Sequence, residues 1–207
     1  MKINKLLIKN INSLAGEHVI DFDEIHDHSE GVYLIIGATG SGKTTILDAI
    51  TLGLFGEVKR MGDITAGNIG KTGSIITHGM KEARVDVIFT SKGEKYIARW
   101  QIRHKVRSAG WEAAQMSLYD VNDQLLESGL SPVKRRIIEI IGMNCDQFNK
   151  AILLAQGDFA SFLKSKFSEK ADILEKITGT ENYSRIGKAI FDKNNELKSI
   201  ADQLQFS

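Results

Sequence analysis

The chain opens on alternation. Residues 2–9 (KINKLLIK) and 17–22 (EHVIDF) change between polar and apolar at nearly every step, the period of strands with one buried face. The polar stretch Asn10–Gly16 between them reads as a turn, so an antiparallel pair is expected. Val32–Ile36 (VYLII) is instead continuously apolar, which predicts a strand buried in the middle of a sheet. From Thr44 to Phe55 the period changes, with Ile46, Leu47, Ile50 and Leu54 on one helical face and Gly56 as the stop. Residues 56–80 hold six glycines and no periodicity, and predict a long loop region. Ala83–Thr90 and Lys95–Ile102 alternate again around Ser91-Lys92-Gly93-Glu94, a hairpin signature. Ala114–Tyr119 predicts one more strand.

The second half is helical. Ser131-Pro132 supplies a cap and a first-turn proline for a helix running to Ile141 and ending at Gly142. A further helical stretch is expected over Cys145–Ala151, and an amphipathic one from Ser168 to Thr178, broken by Gly179. From Glu181 onward Tyr183, Ile190, Leu197 and Leu204 recur every seven residues, with Ile186 and Ile200 in the alternate seam and Lys193 as the misfit. Three heptads of this kind predict a coiled coil, against the plainer alternative of an amphipathic helix packed on the domain. The pattern is still running at Ser207, so a coiled coil that continues is expected. The organisation expected is a lobe over 1–166, followed by helices over 167–207 that lead into that coiled coil.

Composition narrows the class. The chain has 207 residues, 42% hydrophobic and 26% charged, which suits a soluble globular protein and excludes a disordered tail, a collagen-like chain or a disulfide scaffold. A single cysteine, Cys145, cannot bridge internally and fits a reducing cytosol as a buried thiol. No apolar run reaches the length of a membrane span, and the N-terminus lacks a signal-peptide pattern, so a cytoplasmic protein with no membrane partner is expected. The histidines are scattered; His26 and His28 share an acidic loop, where solvation is expected rather than a metal.

The net charge of +1 hides a division, because residues 1–31 sum to −3 and residues 59–107 to +7. A basic block inside a neutral chain is either solvated surface or a face for a polyanion. The run Arg103-His104-Lys105-Val106-Arg107 keeps a DNA-facing role open. Trp100 and Trp111 flank it, and packing is expected of them before base stacking.

One motif carries chemistry outright. Gly37-Ala38-Thr39-Gly40-Ser41-Gly42-Lys43-Thr44 matches G-x-x-x-x-G-K-[ST] between an expected strand and an expected helix. Its glycines let backbone N–H groups curl around phosphate, and the helix N-terminus adds partial positive charge. Lys43 is expected at the β/γ-phosphates, Thr44 on Mg²⁺, and Thr45 at the α-phosphate. Two antiparallel strands precede the loop, as in ABC-type ATPase cores and unlike nucleoside kinases. No N-K-x-D guanine signature and no L-S-G-G signature occur. The acidic strand end that should hold Mg²⁺ and polarise water is represented only by decoys. Asp21, Asp23 and Glu24 precede the loop, Asp86 lies inside a strand, and Glu139 lies on a helix.

Four segments then carry a resemblance: Asn10–Phe22 (NINSLAGEHVIDF), Gly37–Arg60 (GATGSGKTTILDAITLGLFGEVKR), Ile152–Leu163 (ILLAQGDFASFL) and Leu174–Tyr183 (LEKITGTENY). Together they resemble the N-terminal ATPase lobe of the SbcC family, large subunits of bacterial nuclease complexes and relatives of the SMC proteins. The resemblance implies an α/β fold, a P-loop ABC/SMC-type ATPase lobe with an antiparallel β-subdomain and the start of a coiled coil. It implies ATP and Mg²⁺ as cofactors, with Gln156 as the Q-loop glutamine and Asn12 and Ser13 near the phosphates. On the bare sequence, Gln156 reads only as a helix-end polar residue. As a Q-loop residue its amide can ligate Mg²⁺ and orient water without adding charge. Relatives often carry Arg where Asn12 stands. The adenine-contacting loop is expected within Val58–Thr65.

The implied partners are a C-terminal ATPase lobe, a second copy of the head in an ATP-dependent homodimer, an SbcD-like nuclease and double-stranded DNA. The expected activity is ATP hydrolysis that controls the nuclease at DNA ends and hairpins, in the cytoplasm and on the nucleoid. Alone, this stretch is expected to bind ATP with little hydrolysis. The alternatives are the nucleotide-binding component of an ABC transporter, disfavoured by the heptads, and a P-loop nucleotide kinase, disfavoured by the strands before the loop.

Overall fold

The computed structural model describes residues 1–26, 35–58, 61–64, 69, 75–107, 110–149 and 181–205. The chain divides into two compact units, Met1–Asn149 and Lys150–Ser207. The expected division at 166/167 lies outside the described residues.

The first unit is built on a six-stranded antiparallel sheet. Its strands are β1 (Lys2–Ile11), β2 (Leu14–Asp21), β5 (Glu82–Ser91), β6 (Glu94–Arg103), β7 (Gln115–Asp120) and β8 (Leu125–Ser128), in the order β2-β1-β5-β6-β7-β8. A short pair, β3 (Glu57–Val58) and β4 (Gly62–Asp63), stands apart. The helices are α1 (Phe22–His26), α2 (Lys43–Phe55), α3 (Leu130–Ile141) and α4 (Cys145–Phe148).

Alternation decides which face is covered. Leu6 and Ile8 of β1, Val85, Val87 and Phe89 of β5, Ala98 and Trp100 of β6, and Met116 and Leu118 of β7 are all buried on one side. Each large apolar side chain taken from water there is worth about 1.5–3 kcal/mol. Val133, Ile137 and Ile140 of α3 complete this core, and Phe55 of α2 meets Phe148 of α4 edge to face at 5.5 Å. Gly53 lets α2 approach the sheet: a Cβ there would lie 2.5 Å from Val87 Cγ2 and 3.0 Å from Val85 Cγ1.

The opposite face is polar, and there the two charge blocks meet. Lys9 of β1 pairs with Glu17 at 3.0 Å and with Glu82 at 2.7 Å. Arg103 approaches Glu82 at 3.9 Å, and Lys95 approaches Asp23 at 3.8 Å. Asp86, fully enclosed, accepts from Arg84 and Arg99, the latter at 3.0 and 3.1 Å, and Arg99 also lies over the Tyr119 ring. Burial opposes ionisation of Asp86, but the two guanidinium groups outweigh it and hold the carboxyl below the usual range. Much of the basic block is thus neutralised within the sheet. What stays outside is the tip beyond β6, where Lys105 and Arg107 are exposed and Val106 is 95% exposed.

Several expectations are corrected. The turn predicted over Asn10–Gly16 shrinks to Asn12-Ser13, because Asn10 and Asn12 take left-handed conformations (φ 55 and 48) that let the strands continue. Ile35 and Ile36 are not in a buried strand; Ile36 is 82% exposed, since no strand among the described residues flanks them, and 32–34 lie outside the description. The amphipathic face of α2 is also corrected: Thr45 and Asp48–Phe55 are buried on all sides, between the sheet and α3. Helix α3 starts at Leu130 with Gly129 (φ 96) before it, so Ser131 sits inside the helix and caps nothing. Strand β8 escapes prediction because its apolar Leu125 and Leu126 are exposed at an edge and show no alternation. The glycine-rich loop conceals β3–β4 and a bridge between Ile76 and Ile11.

Other expectations hold. The hairpin turn is Lys92-Gly93, both at positive φ, within one residue of the expected strand ends. Gly56 and Gly142 end α2 and α3 in left-handed conformations, donating to Leu52 O and Ile138 O. Trp100 is buried in the core, and Trp111 packs edge-on against His104 at 5.4 Å. Cys145 is buried, and burial together with the nearby Glu57 carboxylate pushes its thiol up to about 12. Helix α4 ends at Phe148 under an Asn144–Gln147 capping box; 150 and 151 lie outside the described residues.

In the second unit the described part is one helix, α5 (Glu181–Gln205). Ile186, Ile190 and Leu197 of the heptad seam, with Phe191 beside it, are exposed along it. No described helix is long and apolar enough to cross a membrane.

Candidate nucleotide-binding site

The phosphate loop runs into α2 through glycines that no other residue could replace without strain. Gly40 (φ 83) and Gly42 (φ 98) are left-handed, a region that costs an L-residue about 1–2 kcal/mol. Ser41 N–H donates to Ala38 O at 3.2 Å and closes the loop. Gly37 must also be small, since a Cβ there would lie 2.5 Å from Ser41 Oγ.

Gly42 is the N-cap of α2, and no side chain caps it. The first N–H groups of a helix lack intrahelical acceptors, so an uncapped start presents donors and partial positive charge to an anion. Lys43 Nζ donates to Gly37 O at 2.6 Å and to Ala38 O at 2.7 Å, folding the ammonium over the loop against neutral carbonyls. Gly37–Ser41 and Thr44 are exposed, Lys43 is half-buried, and Thr45 is buried against the fold. Thr39, Gly40, Ser41 and the Thr44 hydroxyl therefore face outward around one loop, while Thr45 is turned inward.

The β1–β2 turn is packed onto this helix start. A Cβ on Gly42 would meet Leu14 Cδ2 at 2.9 Å and Ser13 Oγ at 3.2 Å, so Ser13 lies directly over the N-cap. Asn12 Nδ2 reaches Asp48 Oδ2 of α2 at 3.5 Å. From the other side Asn12 N–H donates to Ile75 O at 2.7 Å, and Thr77 N–H donates to Asn10 O at 3.0 Å. Asn12 and Ser13 are thus brought to the loop through the sheet, at the far end of β1 from the N-terminus.

A triphosphate fits this donor set: an open helix start, left-handed glycines that free their N–H groups, one mobile cation and an outward hydroxyl. Gln156 lies outside the described residues. Within Val58–Thr65, Val58 and Ile64 are buried in the core, which leaves the β3–β4 turn at Met61 and Gly62 accessible.

The decoys for an acidic strand end are all occupied. Asp21 pairs with Lys5 at 2.6 Å and accepts the N–H groups of Asp23 and Glu24 at the start of α1. Its carboxyl is held low by the Lys5 hydrogen bond first. Asp23 pairs with Lys2 at 2.7 Å and accepts from Asn4, and Glu139 pairs with Arg136. Among the described residues no cluster of His, Cys, Asp and Glu suits a metal. Two residues escape sequence reasoning, Asn10 and Asp48. The signal for Asp48 is a carboxylate four residues after Thr44 in an otherwise apolar helix; for Asn10 there is none.

The family model described as "AAA domain" matches residues 5–205. The large SbcC chain of the SbcCD nuclease from Pseudomonas aeruginosa is 33% identical over 220 residues, covering 99% of this chain and 18% of that protein. The probable DNA double-strand break repair Rad50 ATPase of Aquifex aeolicus is 32% identical, covering 90% of this chain and 17% of that protein. Among solved structures, the SMC head domain from Thermotoga maritima aligns with TM-score 0.41 at 25% identity, over 66% of this chain and 42% of that one. The chain therefore spans under a fifth of the length of these SbcC and Rad50 relatives.

Proposed function

The chain belongs to the AAA domain family, and on that premise we propose that it is the nucleotide-binding part of an SMC-like DNA repair ATPase of the SbcC kind. The observation that carries this reading is the uncapped start of α2, wrapped by a left-handed glycine loop with Lys43 folded over it. Mg²⁺ and ATP supply the phosphoryl chemistry when bound. Lys43 leaves the Gly37 and Ala38 carbonyls to neutralise the β/γ-phosphates, an exchange of neutral acceptors for charged ones that strengthens each hydrogen bond. The N–H groups of Gly40–Thr44 enclose the phosphates, Thr44 offers its hydroxyl to the metal, and Ser13 and Asn12 border them. Thr45 contributes from the buried side. Gln156 positions water as the Q-loop residue.

The chain's own acids are engaged in the sheet, so hydrolysis needs a second lobe that carries an acidic strand end and a signature motif. That lobe belongs to the same protein, and two heads close on ATP. The closure controls an SbcD-like nuclease acting on double-stranded DNA ends and hairpins. The exposed tip Arg103–Arg107 is the DNA-facing surface of this part, and the seam of α5 is the root of the coiled coil.

The test is Mg·ATP binding by the 207-residue chain, wild type against Lys43→Ala. Wild type binds one nucleotide and the variant none; equal affinity in both would remove the loop from this account.

A further inference from the structure

The sheet holds two left-handed asparagines close together in sequence, and they are spent differently. Asn10 (φ 55) is buried and bonded within the sheet: its Oδ1 accepts from Gly16 N–H at 2.8 Å, and its Nδ2 donates to Glu82 O at 3.0 Å. Asn12 (φ 48) is half-buried and reaches across instead, to the Asp48 carboxylate on the helix that begins at the phosphate loop. Left-handed conformations in non-glycine residues persist only where surrounding contacts hold them, and they cluster at working sites.

Asp48 stands one turn of α2 after Thr44, buried in a stripe of polar side chains with Thr45 and Thr51. A carboxylate within a mostly apolar helix costs desolvation, so its retention has to be matched by contacts. Its contact with Asn12 ties the β1–β2 turn to α2 at a second point. The first point is Gly42, where Ser13 Oγ and Leu14 pack against the missing Cβ. Two points fix the turn's position along the helix as well as its distance from it. Ile75 O and the Thr77 side chain hold the turn from behind, the latter donating to Leu14 O at 3.4 Å.

We propose that Asp48 is a positioning residue for the nucleotide: through Asn12 it sets the β1–β2 turn so that Ser13 is presented at the phosphate loop. It touches no phosphate itself. This rests on the phosphate-loop reading, and it extends that reading to a residue no motif marks. An acceptor oxygen is what the position requires; charge is secondary, so an isosteric amide should serve.

The experiment is a double-mutant cycle on the 207-residue chain, reading Kd for Mg·ATP and Tm together. Asp48→Ala and Asn12→Ala are each expected to weaken binding about 10-fold, and the double variant no more than either alone. Asp48→Asn is expected to bind like wild type, a rescue that a purely packing role for a carboxylate-sized side chain in the helix would not couple to Asn12. Should Asp48→Ala fail to fold, Asn12→Ala reads the same contact from the turn side, and unchanged affinity there overturns the proposal. Full additivity of the two substitutions overturns it as well. If Lys43→Ala abolishes binding while Asp48→Ala binds like wild type, the positioning role falls and the phosphate loop stands. If wild type does not bind, both fall together.

Discussion

Asp86 and Lys43 are two charged groups in one domain with opposite surroundings. Asp86 sits in the sheet under two guanidinium groups, its charge matched and its oxygens filled. Lys43 lies half-buried at the mouth of α2, its ammonium on two neutral carbonyls beside an uncapped helix start. A matched charge maintains a fold, and removing its partner leaves a buried ion uncompensated. A cation held by neutral acceptors among unused N–H donors exchanges them for an anion at little structural cost. The difference separates the carboxylates that belong to the sheet from the groups that belong to the ligand, even though both kinds carry motif-like sequence contexts.

Asp86→Ala breaks the comparison from the sheet side and carries the largest expected effect. It should lower stability by about 2–3 kcal/mol in urea unfolding and leave Mg·ATP affinity unchanged. A drop in affinity without a drop in stability would mean that Asp86 belongs to the site. The pH dependence follows the same residue. Its carboxyl is held below the usual range, so its contribution is present above the unfolded value of about 4 and lost as pH falls through the folded value. Asp86→Asn should flatten the stability curve below about pH 4, measured by urea midpoints at successive pH values.

Gly42→Ala addresses the loop side. The substitution forces a positive φ on an L-residue and drives a methyl toward Leu14 and Ser13, so about 1–2 kcal/mol of stability and most of the nucleotide affinity should be lost. The opposite split from Asp86→Ala is what sharpens the contrast. The smallest effect belongs to the tip: charge reversal at Arg103, Lys105 and Arg107 should leave ATP binding intact and reduce the salt slope of duplex DNA binding by about 3. An unchanged slope makes these residues solvated surface.

How much of this is legible in the sequence depends on where the determining contacts lie. The hairpin around Lys92-Gly93, the stops at Gly56 and Gly142 and the phosphate loop are local, written in residues that meet within a turn of each other. The burial of α2 on all sides is hidden, because Thr45, Asp48 and Thr51 read as polar positions until the sheet, α3 and the β1–β2 turn enclose them. The exposure of Ile36 is hidden for the converse reason: an apolar run announces burial but not whether its neighbours lie in this stretch of chain. Charge blocks mislead most. Summed along the chain, the +7 segment promises a basic face, yet the sheet order places β5 and β6 beside β1, where Glu82, Asp86 and Asp23 meet its cations.

The central claim is that this chain holds Mg·ATP on its phosphate loop and lacks the acid to hydrolyse it alone. Calorimetric titration of the 207-residue chain with Mg·ATP, followed by assay of phosphate released in the same sample, tests both halves. One nucleotide bound per chain with no turnover is the result expected. Absence of binding, or release of phosphate at the rate of a complete ATPase, would contradict it.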